Sequence, residues 1–108
     1  MASGKLRHPV TIEKLTGVRD GFGAVTDTWV KFADAWAEVK PVKASEFFAS
    51  AKENHRVTHR VVIRYIDGVS PAMRVMHEGR ALNIVGVRDY FERHAMLELM
   101  CEEEDDGR

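Results

Sequence analysis

The chain has 108 residues, of which 44% are hydrophobic and 31% charged, with a formal net charge of −1. That size and balance fit one soluble domain with a single core, and the total charge gives no reason to expect nucleic acid or a membrane as partner. The distribution is less even: residues 40–64 carry six basic side chains (Lys40, Lys43, Lys52, Arg56, Arg60, Arg64) against two acids, net +4, while residues 89–108 carry eight acids against two arginines, net −6. Charge runs are ordinarily solvated surface; the sharper reading is a molecule with two electrically different faces, suited to head-to-tail packing. The one cysteine, Cys101, excludes an internal disulfide. The opening MASGKLRHPV lacks the apolar stretch of a signal peptide. No apolar run approaches the ~20 residues of a membrane helix, so a reducing, cytosolic setting is expected.

In chain order, HPVTIEKL (8–15) alternates at Val10 and Ile12 against Thr11 and Glu13, the pattern of a half-buried strand. TGVRDGFGAV (16–25), with three glycines and an Asp-Gly pair, reads as a turn or long hairpin loop. Residues 25–40 carry Trp29 and Trp36 and read as a strand broken or bent in the middle and ended by Pro41, which cannot donate to a ladder; a helix over 29–38 is the less favoured alternative.

Residues 42–55 change character. VKASEFFASAKEN is rich in Ala, Lys and Glu, and SEFFASAKE could form two helical turns with Ser45 as N-cap. A helix that short is marginal alone in water, so the segment needs tertiary contacts or a partner to be ordered. RVTHRVVIRYI (56–66) is the strongest strand, with Val57, His59, Val61, Ile63 and Tyr65 on one face and Arg56, Thr58, Arg60, Val62 and Arg64 on the other. DGVSP is a turn, and AMRVMHEGRALNIVGV reads as strand, Glu-Gly tight turn, strand. In HAMLELMCEE, Ala95, Leu97, Leu99 and Cys101 oppose Met96, Glu98 and Met100, which favours a last strand over a helix. The expectation is an all-β protein: a small antiparallel barrel of about six strands in one domain, with a core over 5–101, a projecting segment over 41–55 and an acidic tail over 102–108 that frays.

The residues offer little chemistry. His55 and His59 stand four apart, which on a helix could hold a metal, but on a strand they lie about 13 Å apart; no metal is expected. Cys101 sits on an apolar face followed by three glutamates, a setting for a buried thiol rather than a reactive one. RDGFGAV lacks the third glycine of a dinucleotide loop and the Gly-Lys of a phosphate loop. No nucleophile elbow or acid/base carboxylate pair is visible, so neither catalysis nor a cofactor is expected. Arg56, Arg60 and Arg64 recur on one strand face and could meet phosphates, but no aromatic stacking platform is interleaved with them.

The order of segments carries a resemblance. LRHPVTIEK, then RDGFGAVTDTWVKFADAWAEVKPVKASEFF, then THRVVIRYIDGVSPAMRV, then GRALNIVGVRDYFERHAMLELMCEE, together roughly residues 5–104, resemble the head–tail joining proteins of long-tailed bacteriophages and prophages, also called head-closure, stopper or adaptor proteins. The resemblance implies a small β-barrel with a long excursion after the second strand that can include a short helix. It implies a virion component, assembled in the bacterial cytoplasm into a ring below the portal and its adaptor. That ring closes the DNA channel, docks the tail and recognises no DNA sequence. Carried over by position, the excursion that reaches toward the channel is about 41–55, with Lys43, Ala44, Ser45, Glu46, Lys52 and Glu53 as gating-loop residues. Phe47, Phe48, Arg56, Arg60 and Arg64 are the expected subunit or adaptor contacts; one phenylalanine would tether the excursion and the other would meet a neighbour. The alternatives are a tail-terminator or tail-completion protein and, from another class, a small-barrel nucleic-acid-binding module.

Overall fold

The computed structural model describes residues 6–19, 21–42, 57–89 and 93–104. Six strands form in chain order: β1 His8–Arg19, β2 Val25–Pro41, β3 His59–Arg64, β4 Arg74–His77, β5 Arg80–Asp89 and β6 Met96–Glu103. They close into an antiparallel barrel in the order β1-β2-β3-β6-β5-β4, with β4 returning to β1. The short helix considered for the Ser45 region falls outside the described residues, and among those described there is no helix.

Alternation explains the barrel. Val10 and Ile12 of β1, Val61 and Ile63 of β3, Val75 of β4, Leu82 and Ile84 of β5, and Leu97, Leu99 and Cys101 of β6 all turn inward into one core. Pleated strands send every second side chain to the same face, so closure puts these series against one another. Phe32, Tyr65, Ile66, Val69 and Met73 pack against the same core. Residues 65–73 connect β3 to β4, which are not neighbours, and therefore cross one end of the barrel. Cys101 is fully buried, and burial pushes its thiol up to about 12.

β2 is continuous over 17 residues and ends at Pro41. Its expected bend is a bulge: Ile12 pairs with Ala33 but Glu13 with Lys31, leaving Phe32 as the extra residue. Beyond this point β1 and β2, among the described residues, pair only with each other, since β1 meets β4 at residues 11–13 and β2 meets β3 at 37–41. Residues 14–19 and 25–30 thus form a two-stranded ribbon that leaves the barrel. The hairpin loop expected over 16–25 is shorter than the glycine content suggests. Gly17 lies within β1, paired with Asp27, and a Cβ there would come within 2.8 Å of Cγ1 of Val25, its diagonal neighbour. The remaining glycines, Gly21 and Gly23, make the turn.

The outer face of β6 is buried as well. Met96 packs with Leu6 and Val62, and Met100 with Val57 and Val85. Val85 lies on that face by alternation from inward Ile84, and a second bulge between the Ile84–Cys101 and Gly86–Met100 pairs leaves it as the extra residue. Between the two methionines stands Glu98, only 1% exposed. Arg60 Nε approaches its Oε2 at 2.7 Å from β3, and Arg88 contacts its Oε1 from β5. A buried carboxylate is tolerated only when cations and hydrogen bonds replace its water.

Either arginine alone can still hold the charge. Arg60→Ala and Arg88→Ala should therefore each cost about 1 kcal/mol, while the double variant, leaving Glu98 without either guanidinium, should cost about 3 kcal/mol or more, clearly beyond additivity. Urea unfolding of the four proteins measures this; additive losses would show that Glu98 does not depend on the pair.

Candidate functional site: the two poles of the barrel

The strand directions give the barrel two chemically different poles. At one, the β1–β2 ribbon emerges beside the crossing loop 65–73. Its base is pinned by Arg74, whose Nε and Nη2 both lie 2.8 Å from Glu13 Oε1. The Arg74 guanidinium also covers the Trp29 ring, 4.1 Å from its centroid, an arrangement that adds cation–π attraction to a partly buried ion pair. Gly68, at φ 95°, lets the crossing loop approach Phe32 where a Cβ would stand 3.1 Å from the ring Cζ. Farther out the ribbon shows apolar side chains to solvent: Leu15, Val25 and, in the turn, Phe22, which is 99% exposed. Trp36, also on β2, is 60% exposed beside a shallow depression formed by Pro9, Thr11, Asp34 and Ala35.

At the opposite pole β2 ends and β3 begins, so the 43–56 excursion leaves from here. Its base is closed by the Val42 N–H donating to the Thr58 carbonyl at 2.8 Å, with Val42 and Val57 both in the cluster around Met100. The inward series ends here in polar residues: His8 after Val10, His77 after Val75, and His59 ahead of Val61. Arg80 spans the mouth, with Nη2 2.9 Å from His59 Nε2 and Nε 3.1 Å from Glu103 Oε2.

This network fixes the state of His59. A guanidinium can only donate, so Nε2 accepts and Nδ1 carries the proton. Nδ1 then donates to Thr58 Oγ1 at 3.0 Å. The same hydroxyl accepts the Glu103 N–H at 2.7 Å and donates to the Cys101 carbonyl at 3.4 Å. Burial, and after it the Arg80 charge, holds the imidazole below its ordinary value.

The structure brings few of the expected site residues together. Arg60 and Arg64 lie on the outer face of β3, Arg60 against Glu98 and Arg64 exposed. Lys43, Ala44, Ser45, Glu46, Phe47, Phe48, Lys52, Glu53 and Arg56 lie outside the described residues. His59 takes the inward place that alternation gave it. What sequence reading missed is the joint position of His8 and His77 and the exposure of Phe22. The first could have been found by following the inward parity to the strand ends, and the second from an aromatic residue between two turn glycines.

His59 also predicts a pH dependence. An unfolded histidine takes up a proton near pH 6.5, whereas the folded one resists until lower pH. Stability should therefore fall as the pH drops below about 6.5 and level off once the folded imidazole protonates. His59→Gln should flatten that part of the profile when thermal midpoints are compared between pH 7.5 and 5; identical profiles would remove His59 as the source.

Similarity to known proteins follows the whole chain. The family profile described as "Phage head completion protein" matches residues 1–104. Head completion protein gp7 of Enterobacteria phage HK97 is 27% identical over 106 residues, covering 94% of this chain and 95% of that protein. The solution structure of protein SF1141 from Shigella flexneri 2a superposes with a TM-score of 0.78 at 32% identity, covering 98% of this chain and 99% of that one. A chain from the virion of a native gene transfer agent particle shares the fold, with a TM-score of 0.61 at 22% identity over 92% of this chain and 96% of the other. With the family profile matched across the six strands, the chain belongs to the phage head completion protein family.

Proposed function

We propose that this virion structural protein forms a ring below the portal and its adaptor, closes the DNA channel after packaging and presents the docking surface for the tail. Its chemistry is non-covalent and it acts by occupying space: it has no reaction to perform and binds DNA without reading sequence. The observation that carries this reading is the separation of the two poles. One continuous strand, β2, joins an apolar ribbon at one end of the barrel to the root of the 43–56 segment at the other.

A closed barrel has no free edge along its wall, so copies join through side-chain surfaces or through what projects. The ribbon projects, and its exposed Leu15, Phe22 and Val25 suit the apolar surface of a neighbouring copy. In this reading the segment of about residues 41–55 reaches toward the channel axis, and Lys43, Ala44, Ser45, Glu46, Lys52 and Glu53 form the gate. Phe47, Phe48, Arg56 and Arg64 meet the adjacent copy or the adaptor. The gate assignment for these residues rests on the position of the segment between β2 and β3 and on the family.

Two variants separate the roles. Deleting residues 44–54 should leave the barrel folded, with a cooperative thermal transition, yet give particles that leak DNA or lack tails in complementation. Full infectivity of that deletion would overturn the gate. Phe22→Ser combined with Leu15→Lys alters only exposed side chains, so stability should change by no more than about 0.5 kcal/mol. Infectivity should nevertheless fall at least about tenfold, and unchanged titres would exclude the ribbon from assembly.

A further inference from the structure

His8 and His77 come from opposite parts of the chain and meet because β1 and β4 are neighbours. The Ile12–Val75 pair sets their register, and both histidines continue the inward series toward the same mouth. Their rings stand edge to face, with centroids 5.2 Å apart and planes at 82°. Glu78 follows in the β4–β5 turn, and a ligand atom from each of the three residues lies within 4.8 Å of the others.

Two features of this cluster are unfavourable for a protein that binds nothing there. His77 is 6% exposed, and neither Nδ1 nor Nε2 has a hydrogen-bond partner among the described residues. Its nearest carboxylate oxygen, Glu78 Oε2, is 3.8 Å from Nε2, too far for a hydrogen bond. A buried, unsatisfied ring nitrogen costs stability. The turn adds a second cost. His77 and Arg80 pair across two central residues, Glu78 at φ 53° and Gly79 at φ 79°. Positive φ at both is a type I′ turn, which favours Asn or Asp followed by Gly. Glutamate at the first position is strained, yet it is the residue whose carboxylate stands beside the two imidazoles.

We propose that His8, His77 and Glu78 form a binding site for a divalent first-row transition cation of the zinc type. Two imidazoles and one carboxylate suit such a cation, whereas magnesium and calcium prefer all-oxygen sites. Tetrahedral ligation at about 2.0–2.1 Å brings ligand atoms to about 3.3 Å from one another. The cluster must therefore contract by roughly 1.5 Å from its outer separation, which rotation of the exposed Glu78 and the half-buried His8 can supply. The fourth position is left to water. The nearby Arg80 charge is offset by Glu103 and turned toward His59. Bound metal would clip the start of β1 to the β4–β5 hairpin, beside the root of the 43–56 segment.

The test uses the full chain without a polyhistidine tag, stripped with chelator and titrated with Zn²⁺ or Co²⁺ alone. One equivalent of Co²⁺ should give the visible absorption of a low-coordinate nitrogen–oxygen site, and excess Zn²⁺ should raise the thermal midpoint by several degrees. His77→Phe fills the same space without ring nitrogens and should lose affinity at least about 100-fold while matching or exceeding the metal-free midpoint of the parent. Glu78→Asn places a favoured residue in the turn. It should raise the metal-free midpoint yet weaken Zn²⁺ binding about tenfold or more, opposite signs that a purely structural role for Glu78 does not produce. His94→Ala, at a second histidine–carboxylate contact with Asp89, should leave both readouts unchanged. Absence of a Co²⁺ spectrum and Zn²⁺ shift in the parent, or parental affinity in His77→Phe and Glu78→Asn, would overturn the site.

Discussion

Between the pairs Ile12–Ala33 and Glu13–Lys31, β2 carries one residue more than its partner, and that residue is Phe32. The extra residue bends the strand and changes which side chains point inward. On one side of it β2 is barrel wall, with Ala37 and Val39 against the core; on the other it is half of a ribbon whose only strand partner among the described residues is β1. Phe32 itself packs against the end of the core beneath the crossing loop, where Gly68, at positive φ, would set a Cβ 3.1 Å from the ring Cζ. Bulge, loop glycine and the Arg74–Glu13–Trp29 contact therefore act together. They fix the direction in which the ribbon leaves, which a two-stranded hairpin cannot do for itself.

A barrel this small has little apolar surface to spare, and it buries β6 on both faces. That solution places Glu98 where water is excluded and makes Arg60 and Arg88 part of the fold rather than of a basic surface. The charge asymmetry of the sequence is thus partly neutralised inside one protomer: Arg60 from the basic stretch meets Glu98 from the acidic one.

Much of this was legible from alternation because a closed barrel obeys a two-residue period strictly. The inward faces of β1, β3 and β6 followed from Val10 and Ile12, from Val61 and Ile63, and from Leu97, Leu99 and Cys101. Pro41 and the Glu-Gly pair marked a strand end and a turn for local steric reasons that need no partner. Other features depend on neighbours. Gly17 looked like part of a loop but tolerates its strand because Val25 packs where its side chain would be. Glu98 alternates like a solvent-facing residue, and only the apolar clusters around Met96 and Met100 and the two arginines make its burial intelligible. Inward parity placed His8 and His77 at strand ends, but that they meet depends also on β4 closing onto β1.

The distribution of stability between the poles follows from these contacts. At the ribbon pole, beyond Arg74, Leu15, Val25 and Phe22 expose apolar surface. At the other pole the backbone bond from Val42 to Thr58, the Thr58 hydroxyl network and the Arg80 bridge tie β2, β3, β5 and β6 together. The residues that flank the 43–56 segment, Val42 on one side and Val57 and Thr58 on the other, are thus held to the wall by backbone bonding and apolar packing.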